Sequence, residues 1–213
     1  MQTITKISLQ QKAKGRYNLF LDDTFFCGIT EDTLIKLGLK RGMQVDEIKL
    51  ETILKEESRN KCFNYCLWLL ARQNYFQKVL AEKLKKKEYS EEDITYAFDK
   101  LKEHNCLDDT KLTQAFVNDK KRFSKKGPQY IAQALRMKGV DSETISQTLQ
   151  DNYSEEEEFE NGMNAALKKI ESYRRKCTDD YAVSNKLYGF LSQRGFRMQV
   201  ISKVVEKLFE NRN

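Results

Sequence analysis

The sequence LKKKEYSEEDI (residues 84–94) recurs in altered form as LRMKGVDSETI (135–145) and LSQRGFRMQVI (191–201). The three segments align without gaps, at offsets of 51 and 56 residues. Each begins with Leu and has a basic residue three positions later, an apolar residue five positions later and Ile ten positions later. Self-similarity at a period of about fifty residues is typical of repeat proteins, so the motif predicts three copies of one structural unit.

The residues around each motif predict a helix, a turn and a second helix. Ser90-Glu-Glu-Asp93 has the pattern of a capping box, and Asp141 occupies the same N-cap position in the second copy. Arg197 occupies it in the third copy and cannot cap. Apolar residues also recur at helical spacing on both sides of the motif. They are Leu80, Ile131 and Leu187 before it, and Phe98, Leu149 and Val205 after it.

A further helix is predicted ahead of each helix pair, over residues 59–72, 109–122 and 155–175. The last of these is opened by a second capping box, Ser154-Glu-Glu-Glu157. A three-helix unit of about fifty residues is too small to be very stable alone but can pack against a neighbour. The expected fold class is therefore mainly α: a tandem array of three three-helix repeats, elongated and curved.

The first fifty residues differ in kind, because four of the nine glycines fall there and none follows until Gly127. Residues 3–9 alternate apolar and polar, residues 16–21 and 24–29 are short aromatic-rich runs, and Asp22-Asp23 between the runs is typical of a tight turn. This pattern predicts a small N-terminal antiparallel β meander. The expected domains are residues 1–50 for the meander with a short helix, then repeats over 51–107, 108–153 and 154–213.

The short helix of the N-terminal domain is predicted to begin after Thr30 as N-cap and to end at Gly38. Leu34, Ile35 and Leu37 are expected on its inner side.

Composition excludes several protein classes. Pro occurs once in 213 residues, 39% of the residues are hydrophobic and 33% are charged, which favours a surface-rich helical protein without long Pro or Gly linkers. The N-terminus lacks signal-peptide features, and no run approaches the roughly 18 apolar residues of a membrane helix. The five cysteines are odd in number and irregularly spaced, as in proteins of a reducing compartment. We therefore expect a cytoplasmic location and no membrane partner.

The sequence offers little for catalysis or metal binding. An enzyme using Cys106 and the single histidine, His104, would need a further orienting group. Cys62 and Cys66 could join that pair in a zinc site, but C-x-x-C spacing is absent and an apolar stripe explains both thiols as core residues. The glycine-rich motifs that bind nucleotide phosphates are also absent. We therefore expect no enzymatic activity, no cofactor and no metal.

Positive charge clusters in register with the repeats. Residues 72–87 contain six basic and one acidic residue, residues 120–138 seven and none, and residues 168–176 five and one. An acidic block, residues 151–160, separates the last two. Recurring cationic surfaces favour binding to a polyanion or to a periodic assembly. The alternative, that lysines only solvate exposed helices, explains residues 85–87 but explains the recurrence less well.

Aromatic residues could add stacking surfaces for single-stranded nucleic acid, but most lie on apolar stripes and are expected in the core. These are Phe63, Trp68, Phe98, Phe116 and Phe190; Tyr130, beside residues 125–128, is the open case.

Four segments together resemble the signature of the RecX family, bacterial regulators of the RecA recombinase. They are Asp108-Asp109, Phe116-Val117, KGPQYI (126–131) and LRMKGV (135–140). The resemblance extends over residues 62–209, and the meander is similar to an extension that some members carry. It implies three tandem three-helix units and a non-enzymatic modulator of DNA repair and the SOS response. Such a protein lies against the RecA nucleoprotein filament and inhibits filament extension, ATP hydrolysis and strand exchange. Phe76 and Val79 depart from the family, which often has Ser and Glu there.

The expected partners are the RecA filament and, weakly, single- or double-stranded DNA, bound by a monomer. The alternative is a sequence-independent nucleic-acid-binding helical repeat protein that acts without RecA. The candidate contact residues are Arg72, Lys85, Lys86, Lys87, Lys121, Arg122, Lys125, Lys126, Gln129, Arg136, Lys138, Arg174, Arg175 and Arg194.

Overall fold

A computed structural model of the chain describes residues 1–11 and 14–210, which form four strands and ten helices. Their contacts divide them into two compact units. The first unit comprises Met1–Tyr75 and Val79–Leu107. The second comprises Phe76–Lys78 and the chain from Asp108 onward. Among the described residues, no helix is both long and apolar enough to cross a membrane.

The N-terminal sheet confirms the predicted meander. Its strands are β1 (Gln2–Leu9), β2 (Arg16–Leu21), β3 (Thr24–Thr30) and β4 (Gln44–Val45), antiparallel in the order β3-β2-β1-β4. Asp22 and Asp23 have φ values of +46° and +64°, as a tight turn between β2 and β3 requires. The two-residue strand β4 was not predicted, because two residues are too few to show an alternating pattern.

Helix α1 (Glu31–Lys36) begins at the predicted cap, where the Thr30 hydroxyl accepts the N–H of Thr33 at 3.3 Å. Thr33 is fully buried, and Leu34 and Leu37 are half-buried. The prediction that Ile35 points inward is wrong, since this residue is 70% exposed. A six-residue helix buries only one narrow row of side chains, and the hydrogen bonds of Thr33 determine which row that is.

The first unit is completed by α2 (Glu47–Leu70), α4 (Glu91–Glu103) and most of α3 (Gln77–Lys85), whose first two residues belong to the second unit. Helix α2 was predicted from residue 59 but begins twelve residues earlier. Asp46 is the N-cap of the helix, and its side chain accepts the N–H of Lys49 at 2.8 Å. The helix then continues because no Gly or Pro interrupts residues 47–70.

A buried carboxylate connects the sheet to α2. Glu57 is 2% exposed and accepts hydrogen bonds from the Thr30 N–H at 2.7 Å and the Thr33 hydroxyl at 3.2 Å. The Arg16 guanidinium donates to the same carboxylate at 3.0 Å. A buried carboxylate is tolerated only when it is paired and hydrogen-bonded, and these three donors meet that condition.

The second unit contains six helices from Asp108 onward. They are α5 (Asp109–Arg122), α6 (Pro128–Met137), α7 (Ser142–Asn152), α8 (Glu155–Arg174), α9 (Asp180–Gln193) and α10 (Met198–Phe209). The predicted helices over 109–122 and 155–175 are confirmed to within one residue. Phe76, at the departure from the family pattern, is 4% exposed and packs edge-on against Phe116, with ring centroids 6.1 Å apart.

The three motif copies end their first helix in the same way, which explains the repeat physically. The residue four positions after the leucine has left-handed φ in every copy: +63° at Glu88, +88° at Gly139 and +80° at Gly195. The next residue then donates its N–H to the leucine carbonyl, at 3.3 Å for Tyr89 and at 3.2 Å for Val140 and Phe196. This Schellman-type ending turns the chain into the second helix. The motif leucines and isoleucines are buried, so the predicted three-helix repeats are confirmed.

The predicted caps show three outcomes. The Ser154–Glu157 box is complete. Ser90 caps α4, but the Asp93 carboxylate accepts the Ser58 hydroxyl at 2.6 Å instead of closing the box. Arg197 forms no side-chain cap, as predicted.

Candidate functional site

The segment between α5 and α6, residues 123–127, is a basic linker held from two sides. Lys125 lies in it with φ of +47°. Arg194, at the end of α9, donates from Nε to the Lys125 carbonyl at 3.3 Å and from Nη2 to the Ser124 carbonyl. On the other side, the Tyr153 hydroxyl donates to the Lys126 carbonyl at 3.0 Å. The strained backbone of Lys125 is therefore held by side-chain donors on main-chain carbonyls, and its own ammonium group takes no part in these bonds.

Tyr153 contributes as a buried, neutral hydroxyl. Its side chain is 6% exposed, and the Asn161 amide donates to its oxygen at 3.1 Å. Burial raises the pKa of Tyr153 to about 12, so the hydroxyl keeps the proton that it donates to the basic linker.

The linker also approaches the α9–α10 turn through the main chain. The Gly127 N–H donates to the Arg194 carbonyl at 2.9 Å, and the Gln129 N–H donates to the Gly195 carbonyl at 2.9 Å. A Cβ atom added at Gly127 would lie 2.2 Å from the Gly195 oxygen. The contact requires glycine at both positions. It places the linker cations beside α8 and α9.

These contacts form a cavity, which we term the basic cavity, of about 150 Å³. Four cations line it, from the linker, from α8 and from the end of α9, together with an amide, a hydroxyl and two aromatic rings. None of its lining residues carries a carboxylate. The lining residues are Phe123, Ser124, Lys125, Asn164, Ala165, Lys168, Lys169, Phe190 and Arg194.

Sequence reasoning singled out Lys125 and Arg194 but missed Lys168, Lys169 and the exposed ring of Phe123. The signal for the two lysines was available, because they open the basic block at 168–176. That α8 brings them to the linker could be learned only from the tertiary structure.

Three further candidates of the second unit have internal partners. Lys121 donates to Glu157 at 2.9 Å and to the Asn152 carbonyl, and its side chain is 13% exposed. Arg174 pairs with Glu171 at 2.8 Å. Lys138 is half-buried, with its ammonium group 5.5 Å from the ring centroid of Phe76. These three cations stabilise the unit and offer less to a partner.

Four other candidates of the second unit present their charge or amide to solvent, and a fifth, Lys126, is half-buried. Within the described chain, no carboxylate pairs with Arg122, Arg136 or Arg175, and all three are exposed, as is Gln129. Lys126 lies 4.0 Å from the centroid of the Tyr130 ring, which is 37% exposed. A cation on an accessible ring is an arrangement that also suits a stacked base.

In the first unit, Arg72 stacks on Trp68, with the guanidinium carbon 3.3 Å from the ring centroid. Trp68 is 50% exposed and stacks in turn on Tyr65, with centroids 5.7 Å apart. The expectation that Trp68 lies in the core is wrong, because it occupies the edge of the apolar stripe of α2 rather than the middle. The prediction holds for Phe98, which is 6% exposed.

The lysines that follow Leu84 in the first unit are all exposed. Lys85 pairs with Glu91 at 2.6 Å. No ion pair within the described residues involves Lys86 or Lys87, so these two remain available to a partner.

The thiols and the histidine do not assemble into a reactive site. Cys62 and Cys66 are fully buried, whereas His104 and Cys106 are exposed. A hydrogen bond with Cys66, together with burial, raises the pKa of Cys62, which keeps it a protonated core thiol. Over residues 1–11 and 14–210, no group of three or more His, Cys, Asp or Glu side chains could hold a metal ion.

Four family models match the chain along its length. The model of the regulatory protein RecX N-terminal domain matches residues 2–46. Models of the first, second and third RecX three-helix domains match residues 62–101, 108–149 and 155–205.

Curated relatives and a solved structure agree with these matches. Regulatory protein RecX of Clostridium botulinum is 35% identical over 207 residues, which is 97% of this chain and 96% of that protein. Regulatory protein RecX of Leuconostoc mesenteroides is 35% identical over 208 residues, which is 98% of this chain and 76% of that protein. A crystal structure titled regulatory protein RecX has a TM-score of 0.81 at 28% identity, covering 96% of this chain and 98% of that one.

Proposed function

The chain belongs to the RecX family of regulatory proteins, and from this premise we propose that it binds the RecA nucleoprotein filament and inhibits RecA. The inhibited activities are filament extension, ATP hydrolysis and strand exchange. The protein acts as a cytoplasmic monomer without a catalytic activity of its own.

The observation that carries this proposal is the segment 120–138, which holds seven cations and no carboxylate. Within the described residues, only Lys120 and Lys121 of these seven form ion pairs, with Asp119 and Glu157. The other five form no ion pair there; Lys138 lies against the Phe76 ring, and Arg122, Lys125, Lys126 and Arg136 are not neutralised locally. Surface charges of one sign without partners add little to stability, so their natural use is recognition of an oppositely charged partner.

A filament of RecA and DNA repeats oppositely charged surfaces along its length. Each contact between an exposed lysine and an acidic face or a phosphate is weak. Several contacts made by one rigid helical unit add through effective concentration, so inhibition does not require a single tight pocket.

The test is RecA-driven ATP hydrolysis on single-stranded DNA. Substoichiometric wild-type protein should reduce hydrolysis. The variant Lys125→Glu, Lys126→Glu, Arg136→Glu should inhibit at least about tenfold less at equal concentration, because it reverses three unpaired cations of one unit. Far-ultraviolet circular dichroism should be unchanged, since these side chains form no ion pair within the described residues.

A matched control reverses three exposed cations elsewhere: Lys40→Glu, Arg41→Glu, Lys102→Glu. It carries the same change in net charge and should inhibit as wild type does. Full inhibition by the first variant, or equal loss in both variants, contradicts the proposed contact surface.

A second candidate function is direct binding of single-stranded nucleic acid without RecA. It is supported by the half-exposed Trp68, on which Arg72 stacks, and by Tyr130 beneath Lys126. Aromatic rings next to cations are the elements that bind single strands without sequence preference. Inhibition of RecA only at concentrations that coat the DNA would favour this second function.

A further inference from the structure

The basic cavity in the second unit concentrates positive charge beyond what stability requires. Lys125, Lys168, Lys169 and Arg194 all line it, and no carboxylate does. Like charges placed together repel one another, more strongly where a concave surface excludes water. This repulsion destabilises the free protein, and an anion bound in the cavity relieves it. Anion binding therefore explains why the cations are placed together.

The hydrogen-bonding groups of the cavity select for acceptors. Arg194 uses Nε and Nη2 on the carbonyls of Lys125 and Ser124, which leaves three of its five N–H groups without an acceptor among the described residues. The Ser124 hydroxyl and the Asn164 amide add further donors. A phosphate group presents three acceptor oxygens and a charge of about −1.5 to −2, whereas a carboxylate presents two oxygens and one charge. The donor set therefore matches phosphate better than carboxylate.

The size and shape of the cavity favour a short phosphate chain. Its volume of about 150 Å³ is roughly ten times the 10–15 Å³ that one water molecule needs. A phosphodiester in a nucleic-acid backbone carries a single charge and is flanked by sugars, so it cannot enter a cavity as a free or terminal phosphate chain can. The Phe123 ring, 77% exposed at the rim, offers a surface on which a base attached to such a chain can stack.

We propose that the basic cavity is a binding site for a multiply charged phosphate chain, as found in inorganic pyrophosphate or in a nucleoside diphosphate. Lys168 and Lys169 bind the chain from α8, Lys125 binds it from the linker, and Arg194 binds it while holding the linker in place. This inference deepens the proposed function at the same surface, since Lys125 and Arg194 are also candidate filament contacts. Its test uses no RecA, so either proposal can fail alone.

The experiment is isothermal titration calorimetry of the full chain with pyrophosphate and, separately, with ADP, at low ionic strength and without divalent cations. Wild type should bind pyrophosphate at one site, and binding should weaken as salt is added. Lys168→Gln with Lys169→Gln should raise Kd at least about tenfold, because two charge-assisted contacts are lost. Both side chains are exposed and the change removes repelling charges, so the variant should unfold at a urea concentration no lower than that of wild type.

The matched control is Lys186→Gln with Lys207→Gln, two exposed lysines of the same unit outside the cavity. It should bind as wild type does. Tighter binding of ADP than of pyrophosphate would identify a nucleotide as the ligand, and equal affinities an inorganic chain; both support the site. No binding of pyrophosphate, or equal weakening in both double variants, overturns it. The site is also overturned if an oligonucleotide without a terminal phosphate displaces bound pyrophosphate as effectively as ADP does.

Discussion

At the scale of single residues, the tightest steric constraint is the contact between the backbones of Gly127 and Gly195. Gly127 has φ of −76°, so its backbone conformation is open to any residue and the requirement is one of space. A Cβ atom at Gly195 would lie 2.2 Å from the backbone nitrogen of Tyr130. Because backbone faces backbone on both sides, neither segment can move aside alone.

This constraint predicts opposite outcomes at two glycines of the second unit. Gly127→Ala should lower the free energy of unfolding by at least about 2 kcal/mol, because the new Cβ meets main-chain atoms. Gly189→Ala is the control: it lies within α9, and apart from its chain neighbours and the backbone of its own helix, nothing comes within 4 Å of an added Cβ. It should stabilise the protein by about 0.5–1 kcal/mol through helix propensity.

Urea unfolding followed by circular dichroism measures both variants. Equal effects of the same sign at Gly127 and Gly189 would contradict the close approach. The Gly127-Pro128 pair indicates a break between helices and Gly189 lies within a helical pattern, but the sequence does not show that the backbone of Gly127 meets that of Gly195.

Arg197 shows where reasoning from the sequence ends at this scale. Its failure to cap α10 was predicted from its side chain. The substitute was not: Glu158, fully buried in α8, accepts the Arg197 N–H at 2.7 Å and its Nε–H at 2.6 Å. The partner lies 39 residues away, and nothing in the local pattern identifies which helix faces which.

At the scale of elements, the start of α8 links the capping box to the α5 helix. Glu157 accepts the Ser154 N–H within the box at 3.3 Å and also binds the ammonium group of Lys121. That ammonium group, more than any other neighbour, holds the pKa of Glu157 below its ordinary value of 4.5. A carboxyl group with a lowered pKa stabilises the folded state above its unfolded pKa and loses this contribution as pH falls.

The sign of this shift predicts how Glu157→Gln behaves with pH. The variant should be less stable than wild type at pH 7. The difference should shrink as pH falls below about 4.5, because wild-type Glu157 then becomes protonated and loses the same interaction. Urea unfolding at several values from pH 7 to pH 3 measures this difference.

Glu160→Gln, at an exposed position of the same helix, is the control and should show no such convergence. A constant gap between wild type and Glu157→Gln over the whole range would contradict the role of the Lys121 pair.

Helix bounds were predictable where caps and stop signals are local. The helix over 109–122 agrees with α5 because Asp108 caps it with its own side chain, which accepts the Lys111 N–H at 3.0 Å. The predicted start of α2 at residue 59 is wrong because the repeat pattern contains only the part of the helix that all three copies share. The extra turns before residue 59 contact the N-terminal domain instead: Glu57 accepts the Thr30 N–H at the end of β3, and Glu56 pairs with Lys36 of α1.

At the scale of the whole molecule, the recurrence of Leu, Ile and the turn residue predicted three helical units, and all three are present. The basic blocks were visible as well, but a block does not show which of its charges are neutralised. Lys121 and Lys125 stand four residues apart, yet one is paired and nearly buried while the other lines a cavity. Only packing separates them, so the candidate surface could be predicted as a region and not residue by residue.

Cosedimentation distinguishes the RecA filament from DNA by itself as the partner, using filaments assembled on single-stranded DNA with a non-hydrolysable ATP analogue at physiological salt. If the filament is the partner, the protein sediments with these filaments and stays in the supernatant with the same DNA lacking RecA. Equal sedimentation with bare DNA and with filaments would show that the protein does not recognise RecA.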